Sequence, residues 1–208
     1  ARQQHEQAQP GLREYLSIPG LVRGAQQLFH TLFGIRLERV SPVPGECWAD
    51  DVVKLNVLSE GGLAGVLYLD LSQREGKTTD NATFSIALPT CSPTTSDLVS
   101  LPRLAVVCSF GNSRRLTGLS LSEVEVFFHE LGHAAHILLS RTLFQHVAGT
   151  RGHIDMVEIP STLFEQFVWD HDFMSTIATN PRTGKPVPRD LLEHAHRGRA
   201  QFRGIAMQ

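Results

Sequence analysis

The chain has 208 residues, of which 41% are hydrophobic and 19% charged, with a formal net charge of −2. That is the composition of an ordinary globular protein with enough apolar residues for a sizeable core. It offers no strong field for nucleic acid or an anionic membrane surface, and no apolar run approaches the roughly 20 residues of a membrane span. Three cysteines (Cys47, Cys91 and Cys108) are too few and too scattered for a disulfide framework or a thiolate metal site. The first residue is Ala, and no charged segment followed by an apolar one opens the chain, so it reads as a processed chain or an internal fragment.

The first ~18 residues are polar and Gln-rich, with weak helical character. Leu21, Ala25, Leu28, Phe29 and Leu32 recur at three- and four-residue steps, which predicts a helix over Leu21–Phe33 with Gly34 as its C-terminal glycine. Ser41–Gly45 reads as a turn. Four strands are expected at Val52–Leu58, Gly65–Leu71, Thr83–Leu88 and Arg103–Phe110, with Cys91–Ser100 as a Ser/Thr/Pro loop before the last. Beyond the Gly111–Gly118 loop the period changes. Leu121–Ser140 carries an apolar stripe of Val124, Phe128, Leu131, Ala135 and Leu138, and is the strongest predicted helix. Ser122 to Glu125 fits a capping box, and Ser120 serves equally well as N-cap. Asp155–Asp170 predicts a second helix kinked by Pro160, Asn180–Pro188 a loop, and Arg189–Arg203 a basic helix. The expected class is α+β, predominantly helical with a small β-sheet. The helix and sheet fall at about 21–110 and the chemistry-bearing helical part at about 119–208.

His129-Glu130-Leu131-Gly132-His133 lies on the strongest helix. Helical spacing puts His129 and His133 on one face, about 5–6 Å apart at Cβ, so their imidazoles can converge on one zinc ion. Glu130, one residue on, sits at the edge of that face, placed to take a proton from metal-activated water rather than to bind the metal. Gly132 costs about 1 kcal/mol of helix propensity against Ala, which makes sense if something approaches the backbone closely. A catalytic zinc takes three protein ligands plus a water. His136 lies too far along the axis to share the ion. The acids downstream, Asp155, Glu158 and Glu165, all fall on the next predicted helix, and spacing alone does not choose among them. Asp155 and Glu165 are also candidates to orient a ligand histidine, as is Glu125, one turn before His129.

His129 to His133, then Gln145-His-Val-Ala-Gly-Thr-Arg151, then Asp155-Met-Val-Glu-Ile-Pro-Ser161, together resemble the thimet-oligopeptidase-like (M3) family of zinc endopeptidases. The stretch Arg141–Arg151, with Leu32–Ile35 and Gly45–Trp48, is most similar to the branch that trims N-terminal octapeptides from precursors imported into the mitochondrial matrix. The similarity runs from about Leu21 to the C-terminus. It implies Glu158 as the third ligand beside His129 and His133, one Zn²⁺ per chain, and Glu130 as catalytic base. It further implies a zincin-like catalytic domain, with unfolded peptides or precursor proteins as substrates and a substrate loop around Gly149 and Thr150. A general cytosolic oligopeptidase of the same family is the alternative. Family members are several times longer, and their downstream His and Tyr oxyanion donors lie beyond Gln208. The chain is therefore expected to be part of the catalytic domain, with a rate lower by about 10²–10³ or zinc binding without catalysis.

Overall fold

A computed structural model of the chain describes residues 11–92, 94–95, 98–112, 118–142 and 144–205. Among them are five helices: α1 (Ile18–Phe33), α2 (Leu121–Leu139), α3 (Ile154–Gln166), α4 (His171–Ile177) and α5 (Arg189–Ile205). Strands β1 (Arg36–Val40), β2 (Val53–Ser59), β3 (Gly62–Gln73), β4 (Ala82–Ala87) and β7 (Arg103–Asn112) form a mixed sheet in the order β1-β2-β3-β7-β4. Only the β3–β7 pair is parallel. Between β4 and β7, β5 (Thr90–Cys91) and β6 (Leu98–Ser100) form a separate antiparallel pair. The class is α+β, and no described helix is long and apolar enough to cross a membrane.

The departures from expectation have local causes. α1 begins three residues before the predicted Leu21, because Ser17 caps it by accepting from the Gly20 N–H and Pro19 sits in the first turn, where a missing N–H costs nothing. Gly34 ends the helix in the left-handed conformation, with φ 66°. β1 was not predicted: Arg36, Glu38 and Arg39 mask its single buried residue, Leu37, as charge often does on an edge strand. The predicted Cys91–Ser100 loop contributes to both strands of the β5–β6 pair. The predicted helix Asp155–Asp170 stops at Gln166 and gives way to a 3₁₀ turn, after which Asp170 caps α4 by accepting from the Phe173 N–H. At the start of α2 the capping box is Ser120 with Glu123, not Ser122 with Glu125.

Alternation along the strands gives the sheet two different faces. Leu55, Val57, Leu67, Leu69, Leu104 and Val106 are buried in one core with α1 and α2. Val66, Tyr68 and Ala105, on the opposite face, belong to a smaller cluster under the Cys47–Ala49 segment. The expected stripe of α2 is buried, and so are Phe127, Ala134 and Ile137, so α2 is enclosed nearly all round. Glycines let its neighbours come close. A Cβ on Gly24 of α1 would lie 2.8 Å from Phe128, and one on Gly65 of β3 would lie 3.0 Å from Leu138. α2 is thereby a central helix wedged between the sheet and α3.

Candidate metal centre

The contact between α2 and α3 is made by missing side-chain volume. A Cβ at Gly132 would lie 2.6 Å from both the Pro160 carbonyl oxygen and the Ser161 Cα, so only glycine allows this approach. The consequence is lateral: Glu158, one turn before Ser161, is carried up to the histidine face of α2. His129 Nε2 and His133 Nε2 are 3.2 Å apart, and Glu158 Oε2 lies 3.4 Å from each. Three ligand atoms from two helices thus form a near-equilateral triangle, and among the described residues this is the cluster able to hold a metal ion.

The neighbours fix how these groups point. His129 Nδ1 is 2.7 Å from Glu165 Oε1, one of the candidates for orienting a ligand histidine. A proton on Nδ1 donated to that carboxylate leaves the Nε2 lone pair directed at the cluster. Ser161, fully buried, has its hydroxyl 2.7 Å from Glu158 Oε2 and 2.9 Å from the Glu158 carbonyl oxygen. Burial holds the His133 imidazole below its ordinary pKa, against the upward pull of Glu158, which favours the neutral form with a free lone pair. His133 Nδ1 is buried and has no hydrogen-bond partner among the described residues.

The donor chemistry fits a divalent cation. In their unprotonated forms all three atoms are acceptors, and a cation among them satisfies all three together. Ligands about 2.0–2.1 Å from a tetrahedral ion lie about 3.3–3.4 Å apart, the spacing found here. Two imidazoles and a carboxylate are also a donor set that suits zinc.

Glu130 is buried at 8% exposure, with its carboxylate Oε2 2.9 Å from the Thr83 hydroxyl of β4. The remaining candidates fall elsewhere. Asp155 is exposed beside His153, at 3.4 Å, and His136 is not part of the cluster. Glu125 accepts from Trp169 Nε1 at 3.0 Å, and Trp169 in turn lies against the His196 ring of α5. In the loop after α2, the Gly149 N–H donates to the Ser140 hydroxyl at 2.9 Å; its φ is 66°, and a Cβ there would lie 3.0 Å from Ile137. Any pairing of this loop with a peptide therefore uses groups other than that N–H. Sequence reasoning missed Ser161 and Thr83. Ser161 stands three residues after Glu158, a spacing at which helical side chains meet, whereas no local pattern points to Thr83.

α2 thus presents two histidines to a carboxylate of α3, and the neighbouring Glu130 is buried toward the sheet against Thr83. The chain matches the model of peptidase family M3 over residues 1–208 and belongs to that family. It is 39% identical to the mitochondrial intermediate peptidase of Arabidopsis thaliana over 198 residues, 93% of this chain and 28% of the relative. It is 37% identical to the proteins of the same name from Eremothecium gossypii (87% of this chain, 26% of the relative) and Saccharomyces cerevisiae (86% and 26%). The chain spans about a quarter of the length of these relatives.

Proposed function

We propose that this chain carries the metal-binding centre of a zinc endopeptidase. His129, His133 and Glu158 hold one zinc ion, and Glu130 is the general base. The observation that carries the reading is the triangle of two imidazole nitrogens and one carboxylate oxygen at 3.2–3.4 Å, formed by residues of α2 and α3. A zinc ion held there supplies Lewis acidity, polarising a peptide carbonyl and acidifying water.

The chain's own groups do the rest. Glu165 holds the proton on His129 Nδ1, and Ser161 steadies the Glu158 carboxylate. Glu130 takes a proton from the attacking water onto its carboxylate and passes it to the leaving amine, so that no net charge is left on the enzyme. Exposed Ile154, Met156, Ile159 and Leu163 on α3 offer apolar surface suited to an unfolded peptide. Gly149 and Thr150 are read as part of the substrate loop.

The similarity to mitochondrial intermediate peptidases supports a finer reading: a matrix enzyme that trims N-terminal octapeptides from imported precursor proteins. The test of the chemistry is Glu130→Gln. It should lower kcat by about 10²–10⁴ while leaving one zinc bound per chain, measured by peptide cleavage and metal analysis in parallel. Near-normal turnover with zinc retained would overturn the assignment of the base.

A further inference from the structure

The geometry points to Thr83 as the residue that positions the general base, an inference that rests on the reading of Glu130 above. Thr83 stands on β4, the last strand of the sheet, in register with Val106 of β7, so its side chain is on the sheet face that meets α2. Its hydroxyl oxygen is 2.9 Å from Glu130 Oε2 and 2.8 Å from the Glu130 carbonyl oxygen. Among the described residues it is the hydrogen-bond partner of that carboxylate.

Three properties make this contact more than a packing detail. Glutamate has three rotatable side-chain bonds, and a carboxylate one residue from a metal ligand acts as a base only if held on the right side of it. The Thr83 bond fixes one of its two oxygens, leaving the other for proton transfer. A hydroxyl also both donates and accepts. With Glu130 ionised, Thr83 donates to Oε2. With the proton taken up on Oε1, Oε2 is still an acceptor and the Thr83 bond is kept. The carboxyl group therefore keeps its position in both states of the shuttle. Finally, the bond runs between elements far apart in sequence, so the base is anchored to the sheet as well as to its own helix.

The test compares Thr83→Val and Thr83→Ala, which remove the hydroxyl, with Thr83→Ser, which keeps it, in the zinc-loaded protein. Thr83→Val and Thr83→Ala should lower kcat by about 10- to 100-fold, with KM changed less than about twofold and zinc content and affinity unaltered. Thr83→Ser should recover kcat to within about threefold of the parent. A readout independent of turnover is thermal unfolding of the metal-free protein in a Thr83→Val, Glu130→Gln double-mutant cycle, in which the two shifts should be non-additive. If Glu130→Gln abolishes turnover while both hydroxyl-free variants keep kcat, the positioning role falls and the base assignment stands. If Glu130→Gln keeps turnover, the assignment of the base itself fails. Equal loss in Thr83→Ser and Thr83→Val would reduce the contact to a structural one and overturn the proposal.

Discussion

Two polar clusters lie on opposite faces of the same sheet, and they are built on opposite plans. On the outer face, Asp70 of β3 is 2% exposed and surrounded by donors: Arg74 at 2.6 and 2.7 Å, Lys77 at 2.6 Å and Trp48 Nε1 at 2.7 Å. Lys77 Nζ also donates to the carbonyls of Asp70, Ser72 and Cys108. Every charge there has its opposite within the chain, and the network ties the turn after β3 down onto the sheet. On the helix side, three acceptors face one another at 3.2–3.4 Å, and the groups behind them, Glu165 and Ser161, reinforce that arrangement. A self-satisfied cluster stabilises a fold. A cluster of converging acceptors is suited to a cation from outside.

Either cluster can be disrupted by a single substitution. The largest effect is expected on the outer face. Asp70→Ala leaves Lys77, whose side chain is 4% exposed, without its counter-charge, and should cost about 3–5 kcal/mol of stability by denaturant unfolding. Zinc affinity should be unchanged. A loss of zinc binding in a still-folded Asp70→Ala protein would show that the two clusters are coupled.

Gly132→Ala probes the helix side. Alanine is the better helix former by about 1 kcal/mol, yet its Cβ would meet the α3 backbone at 2.6 Å. The clash should win, with a net loss of about 1–3 kcal/mol and zinc affinity lower by at least tenfold, because Glu158 is pushed away with α3. A stabilised variant with full zinc affinity would refute the role given to this contact.

The smallest effect is in acid. Burial pushes the Asp70 carboxyl pKa up, but hydrogen bonds from Arg74, Lys77 and Trp48 outweigh it and hold the value at about 2. Because the folded-state pKa is depressed, the stabilisation is complete above the unfolded value of about 4 and is lost as pH falls through about 2. Unfolding measured from pH 5 to pH 2 should show a steeper loss of stability in the parent than in Asp70→Asn. Parallel slopes would count against the network as drawn.

The same contrast explains what could be read from the sequence. His129, Glu130 and His133 were legible because one helix brings them together, so spacing is geometry. Glu158, Asp155 and Glu165 could not be separated by spacing, since the choice depends on how α3 packs on α2. Gly132 hinted at a close approach without saying to what. Thr83 and Ser161 were silent, one because it arrives on a strand far away in sequence, the other because a serine inside a helix has many ordinary reasons to be there. Asp70 was equally invisible. It stands in the apolar run of β3, and its partners Trp48, Arg74 and Lys77 lie in connecting segments whose folding back no periodicity records. β1 escaped because an edge strand rich in arginine and glutamate looks like a loop.

The most direct test of the central claim is zinc stoichiometry and affinity by competition titration, on the parent and on His133→Ala, Glu158→Ala and Asp70→Asn. One zinc per chain is expected for the parent and for Asp70→Asn, with affinity lowered by at least 100-fold in His133→Ala and in Glu158→Ala. Unchanged affinity in a folded Glu158→Ala protein would contradict that claim, since the carboxylate brought by α3 would then not be a ligand.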